Sequence, residues 1–372
     1  MNRPLDIVVL GLSLSSSWGN GHATTYRALL RSVHGAGHKV TFLERDVPWY
    51  ACHRDVVAPD FCDLVLYRSI DELLARHAGT LAGADAVVIG SYVPEGVEVI
   101  DTVVDLSPKR LCFYDIDTPV TLAKLAGGDE EYLARRQIPL FDLYFSFSGG
   151  STLDRLRGEF AARCPVALYC AVDLDLYRNT GAPREWDLGY LGTFSRDRQP
   201  TLERLLFEPA RQLPEMRFVV AGPSYPAEIR WPKNVVRIEH LPPSEHAEFY
   251  SRQRFTLNVT RADMVTAGWS PSVRLFEAAA CHTPVISDWW EGIESFFPPG
   301  EAAVIAQDSG DVVAALTSLT EQQRQAYANC AHQRVVQAHS AAARATTFLE
   351  AIENVAPRTN LATRHSERRF PV

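Results

Sequence analysis

The stretch WSPSVRLFEAAACHTPVISDWW, residues Trp269–Trp290, reads as a helix feeding a strand. Ser270 followed by Pro271 is a helix start: a hydroxyl to cap the first free N–H groups, then a proline whose fixed φ suits the first turn. The helix is expected over Pro271–Cys281, and Thr283–Pro284 leads into an apolar strand at Val285–Ser287. That strand lacks polar alternation, as strands do when helices cover both faces of their sheet.

Working outward, the same unit recurs in both directions. Toward the N-terminus of this half, strands are expected at Asp187–Leu191, Arg217–Ala221, Val235–Ile238 and Phe255–Val259, with Pro284–Ser287 and Ala302–Ile305 completing the set. Helices Thr201–Leu213, Glu245–Ser251 and Gly310–Leu316 lie between them. The first half repeats the pattern, with strands at Asp6–Leu12, Lys39–Leu43, Asp63–Tyr67, Ala86–Gly90, Arg110–Tyr114, Asp142–Phe147 and Val166–Tyr169. Amphipathic stretches such as His22–Val33 and Thr152–Phe160 separate these strands. Strands alternating with helices imply parallel sheets, so the fold class is α/β with two Rossmann-like halves. The polar, Gly- and Pro-bearing stretch Tyr177–Trp186 (YRNTGAPREW) is the expected linker. The expected domains are therefore 1–176 and 177–353, followed by a loose arginine-rich tail over 354–372.

A length of 372 residues suits two domains with a core each. The net charge of −8 argues against general nucleic-acid binding, which needs basic groups along a phosphate backbone. Seven scattered cysteines without a CxxC pair fit reduced thiols better than disulfides or zinc. No apolar run approaches the ~18 residues of a membrane span. These features lead us to expect a cytoplasmic protein without a transmembrane segment, with room for peripheral membrane contact.

Chemistry concentrates in a few segments. Arg274 falls in the first turn of the Pro271–Cys281 helix, where a cation opposes the helix dipole unless an anion binds at the same end. An i,i+3 ion pair with Glu277 is the structural alternative. The turn Tyr190–Arg198 (YLGTFSRDR) follows the first strand of the second half and brings Gly192, Arg196 and Arg198 together. It serves equally well as a solvated turn with an Arg–Asp pair. Phe218–Pro223 (FVVAGP) and Val235–Leu241 (VVRIEHL) end near His240 and Leu241.

These three segments resemble the donor site of family-4-like GT-B glycosyltransferases. They are most similar to the group of spore-maturation-protein-like glycosyltransferases, where a Ser-rich turn precedes R-x-F-E-A-x-A-C-G and a strand. The resemblance implies the GT-B fold, two Rossmann-like domains facing each other across a cleft. It implies a nucleotide-diphosphate sugar as donor. Ser270, Ser272 and Arg274 would lie at the donor, and Glu277, matching the second acid of an E-x7-E motif, would bind the ribose. Gly192, Arg196 and Arg198 would hold the diphosphate, and backbone near His240 and Leu241 would read the base. The sequence departs from the pattern at Trp269, where the first acid would fall, at Thr193, where an Arg is usual, and at His282, which replaces a Gly.

In the first half, Ser13–His22 (SLSSSWGNGH) follows the first strand and contains Gly19-x-Gly21 without a third glycine. His22 is a candidate general base, with a structural histidine as the alternative. Asp115 and Asp117 follow the strand ending at Tyr114, and a carboxylate beyond a strand's carboxyl end can deprotonate an acceptor hydroxyl. Capping the next helix is the alternative. The Asp-x-Asp triplet binds metal in the other glycosyltransferase fold, but the phosphate-type features of the second half speak against that role. The expected activity is transfer of a sugar from a nucleotide-diphosphate sugar to the hydroxyl of a glycan, lipid-linked or small-molecule acceptor, without metal or other cofactor. A nucleotide-sugar epimerase or hydrolase, or a non-catalytic nucleotide-sugar-binding protein, is the alternative.

Overall fold

The computed structural model describes residues 3–18 and 21–358. Gly19 of the partial glycine motif and residues 359–372 of the expected tail lie outside the described residues. The chain divides into two compact units.

Of the described residues, the first unit comprises 3–18, 21–147, 153–168 and 345–358. Its strands are β1 (Asp6–Gly11), β2 (Lys39–Arg45), β3 (Asp63–Tyr67), β4 (Ala86–Gly90), β5 (Leu111–Asp115), β6 (Leu143–Ser146) and β7 (Pro165–Ala167). They form one sheet in the order β3-β2-β1-β4-β5-β6-β7, and every pairing is parallel. Alternate side chains feed two separate cores. Val8, Leu10, Val87, Ile89 and Phe113 enter one; Ile7, Val9, Val88, Cys112 and Tyr114 enter the other. Burial on both faces explains why these strands read as apolar runs. Each buried Val, Ile or Phe contributes roughly 1.5–3 kcal/mol.

The second unit comprises residues 148–152 and 169–344. Its strands are β8 (Trp186–Leu191), β9 (Phe218–Ala221), β10 (Val235–Ile238), β11 (Gln253–Asn258), β12 (Val285–Ser287) and β13 (Ala303–Ile305). Their order is β10-β9-β8-β11-β12-β13, again parallel throughout. In both sheets the strand order reverses beside the first strand, between β1 and β4 and between β8 and β11. Loops leaving the carboxyl ends there diverge to opposite faces and open a crevice, where ligands of such sheets bind.

Three expectations need correction. The division falls after Leu168, not at Tyr177, so the whole of Tyr177–Trp186 belongs to the second unit. Tyr177 is buried, and its N–H donates to the Asp173 carbonyl at 2.8 Å. Second, the helix Ala341–Asn354 changes allegiance along its length. From Ala345 it belongs to the first unit, packing Phe348 and Ile352 into the core with Phe145. Third, residues 354–358 are tied down. Arg110 Nε donates to the Val355 carbonyl at 2.7 Å, and Arg358 Nε donates to Asp142 Oδ2 at 2.7 Å. The Arg358 N–H also donates to the Lys109 carbonyl. Polar composition suggested a loose end, but those arginines find a buried carboxylate and free carbonyls in the first unit.

Arg358→Ala removes a charge-assisted bond to the buried Asp142 carboxylate and is expected to destabilise the protein by about 1–3 kcal/mol. Thermal unfolding followed by circular dichroism measures the loss, with the exposed Arg196→Ala as the neutral control.

Candidate functional site

At the reversal in the second sheet, the turn after β8 begins with Gly192, whose N–H donates to the Ala221 carbonyl at 2.8 Å. A Cβ on Gly192 would lie 2.6 Å from Tyr190 Oη and 3.0 Å from an Arg274 terminal nitrogen. The glycine thus lets this guanidinium approach the backbone. Across from it, Gly222 holds φ +139, and a Cβ there would meet the Gly192 carbonyl oxygen at 2.2 Å. Gly222 is required by close backbone approach and its positive φ, whereas a side chain at Gly192 would displace the ends of Tyr190 and Arg274.

Arg274 is buried. Its Nε donates to the Leu191 carbonyl, and one terminal nitrogen donates to Asn258 Oδ1 at 3.1 Å and to Ser272 Oγ at 3.2 Å. The guanidinium lies over the Tyr190 ring, 5.0 Å from its centroid. The expected pair with Glu277 does not form. Glu277 is buried and accepts the Tyr250 hydroxyl at 2.9 Å. Ser272, not Ser270, is the N-cap residue, and the helix runs Val273–Ala280 rather than Pro271–Cys281. The reason is that the Ser270 hydroxyl is spent elsewhere, bonded to Ser148 Oγ and to the Gly268 carbonyl. Pro271 therefore precedes the helix, and Arg274 sits at its second position.

Arg198 is partly buried, and one terminal nitrogen donates to the Thr193 carbonyl at 2.7 Å. Its Nε is enclosed and, among the described residues, has no hydrogen-bond partner. Burial lowers its pKa from the usual arginine value, and the positive charges of Arg274 and Arg261 lower it further. Arg198 thus lies within electrostatic reach of the buried Arg274 and the exposed Arg261. Among the described residues, none of the three lies within ion-pair distance of a carboxylate. Arg261 escaped the sequence reading. It lies just past the carboxyl end of β11, the strand next to β8, so the strand-end rule that pointed to Asp115 and Asp117 would have found it. Arg196 is exposed. His240 is exposed and Leu241 half-buried; the Leu241 carbonyl accepts from His246 Nε2 at 3.3 Å. Trp269, where the resemblance calls for an acid, is half-buried with φ +48. Its backbone is fixed by the Glu291 carbonyl at 2.6 Å and the Gly149 N–H at 3.0 Å. A left-handed conformation in so bulky a residue costs strain.

The reversal in the first sheet gathers the other candidates. His22 begins the helix His22–Gly35. Its Nε2 lies 3.6 Å from Asp117 Oδ2, and its ring meets Tyr92 edge-on at 5.5 Å. The remaining nitrogen, Nδ1, is buried without a partner among the described residues. Asp117 is the N-cap residue of Thr118–Ala126, yet its side chain makes no capping bond. The carboxylate faces His22 and is partly open to solvent.

Asp115 departs from expectation. It is fully buried, and its two oxygens accept the Thr121 hydroxyl at 2.7 Å and the Tyr144 hydroxyl at 2.6 Å. Burial raises its pKa to about 6, against the lowering effect of those hydrogen bonds. Its Oδ1 also accepts the Asp117 N–H at 3.3 Å, so it braces the residue it was paired with in the sequence. Among the described residues, no group of three or more His, Cys, Asp or Glu side chains is disposed to hold a metal. Nor, among them, is any helix long and apolar enough to cross a membrane.

Residues 198–350 match the family model described as glycosyl transferase-like. Curated proteins yield no match to the chain. Among solved structures, sucrose-phosphate synthase from Thermosynechococcus elongatus aligns with a TM-score of 0.69 at 15% identity, covering 94% of this chain and 98% of its own. HepE from Anabaena, solved with UDP-glucose, gives a TM-score of 0.67 at 12% identity over 93% and 99% of the two chains. The E. coli structure titled trehalose-6-phosphate, bound with UDP-2-fluoro glucose, gives 0.64 at 12% identity over 95% and 100%. Residues 198–350 are thus a glycosyl transferase-like domain, and the two parallel-sheet Rossmann-like units have the GT-B fold of these structures.

Proposed function

We propose that the protein is a glycosyltransferase that transfers a hexosyl group from a nucleoside-diphosphate hexose to an acceptor hydroxyl, with arginines in the place of a metal at the diphosphate. The observation that carries the reading is the group of Arg198, Arg274 and Arg261, whose charges no carboxylate answers within ion-pair distance among the described residues. Holding like charges together costs energy, and a bound diphosphate repays it. As the bond to the sugar breaks, negative charge grows on the leaving diphosphate, and fixed guanidiniums stabilise it without reorganising. Glu277, held by Tyr250, is the acceptor for ribose hydroxyls. Backbone around His240 and Leu241 meets the base. The similar HepE and E. coli structures hold UDP-glucose and UDP-2-fluoro glucose, and UDP is our first choice of donor nucleotide. The relationship to spore-maturation-protein-like glycosyltransferases rests on the motif around Arg274 and Glu277, and a cytoplasmic location on the free cysteines.

On the acceptor side, Asp117 takes the hydroxyl proton and His22 holds the carboxylate and its charge. Asp115, buried beneath them, positions Asp117.

Two outcomes test this reading. Arg198→Ala and Arg261→Ala should each weaken UDP binding roughly ten- to a hundredfold while leaving uridine binding nearly unchanged, since a charge-assisted hydrogen bond is worth about 1.5–3 kcal/mol. Glu277→Gln should weaken both ligands alike. Calorimetry on the folded variants measures this, and diphosphate binding at the parent level in both arginine variants would remove the site. Asp117→Asn should lower turnover by about two to four orders of magnitude without altering UDP affinity. Steady-state kinetics with parallel UDP titrations checks the split, and an equal loss of UDP affinity would move Asp117 out of the acceptor role.

A further inference from the structure

Asp288, just past the carboxyl end of β12, is a buried carboxylate with no ion pair among the described residues. Its Oδ2 accepts the Thr260 N–H at 2.9 Å, and its Oδ1 accepts the Thr260 hydroxyl at 2.8 Å. A carboxylate is costly to bury, and this one is held by hydrogen bonds alone. Burial raises its pKa, against the lowering effect of those bonds and of the Arg274 charge.

The direction of each bond follows from the groups themselves. Thr260 has one hydroxyl hydrogen, and the carboxylate takes it. Thr260 Oγ is left to accept, and it accepts Asn258 Nδ2 at 3.1 Å. Ser287 repeats the constraint: its hydroxyl donates to the Asp288 carbonyl at 2.9 Å and accepts Asn258 Nδ2 at 3.0 Å. With its NH2 group committed on that side, Asn258 turns its Oδ1 the other way, where it accepts an Arg274 terminal nitrogen at 3.1 Å. Both ends of this chain are one-way groups, since a guanidinium only donates and a carboxylate only accepts. A hydroxyl or an amide at position 288 would leave the direction open.

The chain also fixes how Arg274 presents itself. Its Nε and one terminal nitrogen are engaged by Leu191, Asn258 and Ser272. The other terminal nitrogen lies beside Gly192 and makes no hydrogen bond among the described residues. Because Asp288 reaches Arg274 through an amide, it orients the guanidinium without an ion pair that would compete with an anion.

We propose that Asp288 is a positioning residue for sugar transfer: through Thr260 and Asn258 it holds the Arg274 guanidinium in the orientation that meets the donor diphosphate. This rests on the reading of Arg274 as part of the diphosphate site.

Two variants test it. Asp288→Asn keeps the shape and reverses the polarity. Its oxygen can still accept the Thr260 N–H, but its NH2 group then faces Thr260 Oγ, and the Thr260 hydrogen must turn to Asn258 or find no acceptor. Thr260→Val keeps the backbone bond to Asp288 and removes the relay hydroxyl. In calorimetry, each should weaken UDP binding roughly tenfold with uridine binding nearly unchanged. In an Arg274→Ala background, the same substitutions should change UDP affinity by less than about twofold, because the residue they act through is gone. Unchanged UDP affinity in the folded single variants, an equal loss for uridine, or the same tenfold loss in the Arg274→Ala background overturns the proposal. Crystal structures of the unliganded parent and variants separate this claim from the donor reading. A parent that binds UDP no tighter than uridine removes the donor reading, whereas Arg274 remaining on Asn258 in both variants removes the orienting chain.

Discussion

Three guanidiniums held near one another dominate the second unit. Arg274 reaches its place only because Gly192 has no side chain, because Tyr190 offers a ring to lie on, and because Asn258, Ser272 and the Leu191 carbonyl take its protons. Arg198 is pressed into a partly buried position where neighbouring positive charge lowers its proton affinity. The buried Asp288 feels the Arg274 charge without reaching ion-pair distance, since Asn258 lies against both. The surrounding glycines and strand ends hold Arg274 in place, and on the proposed reading a bound diphosphate answers the charge.

The same principle appears in the first unit with the signs reversed. Asp115 and Glu44 are buried acids, and each is satisfied by hydroxyl or N–H donors. Each braces a neighbour that is more open: Asp117 in one case, the loop carrying Trp18 in the other. Buried charge is spent on holding residues at the carboxyl ends of β1 and β5, not on the core.

Much of this was legible in the sequence. Val235–Ile238 and Asp63–Tyr67 are apolar runs of strand length bounded by breakers, and both are strands over those residues. Gly192, Arg198 and Arg274 lie beside strand and helix ends, but it was the resemblance of their segments to a donor site that singled them out. What the sequence concealed was partnership at long range. Nothing local reveals that Ser270 bonds to Ser148, so the helix start was placed at Pro271 instead of after Ser272. Nothing near Phe348 says that its core lies in the first unit. Asp115 and Asp117 looked equivalent as a pair, and only the surroundings separate a fully buried brace from a partly open carboxylate.

The account stands most directly on one comparison: calorimetric titration of the parent protein with UDP and with uridine, in EDTA. If the arginines hold the diphosphate, UDP binds about a hundredfold or more tighter than uridine, as two or more charge-assisted contacts require, and EDTA makes no difference. Equal affinities for the two ligands, or UDP binding that EDTA abolishes and manganese restores, would contradict it.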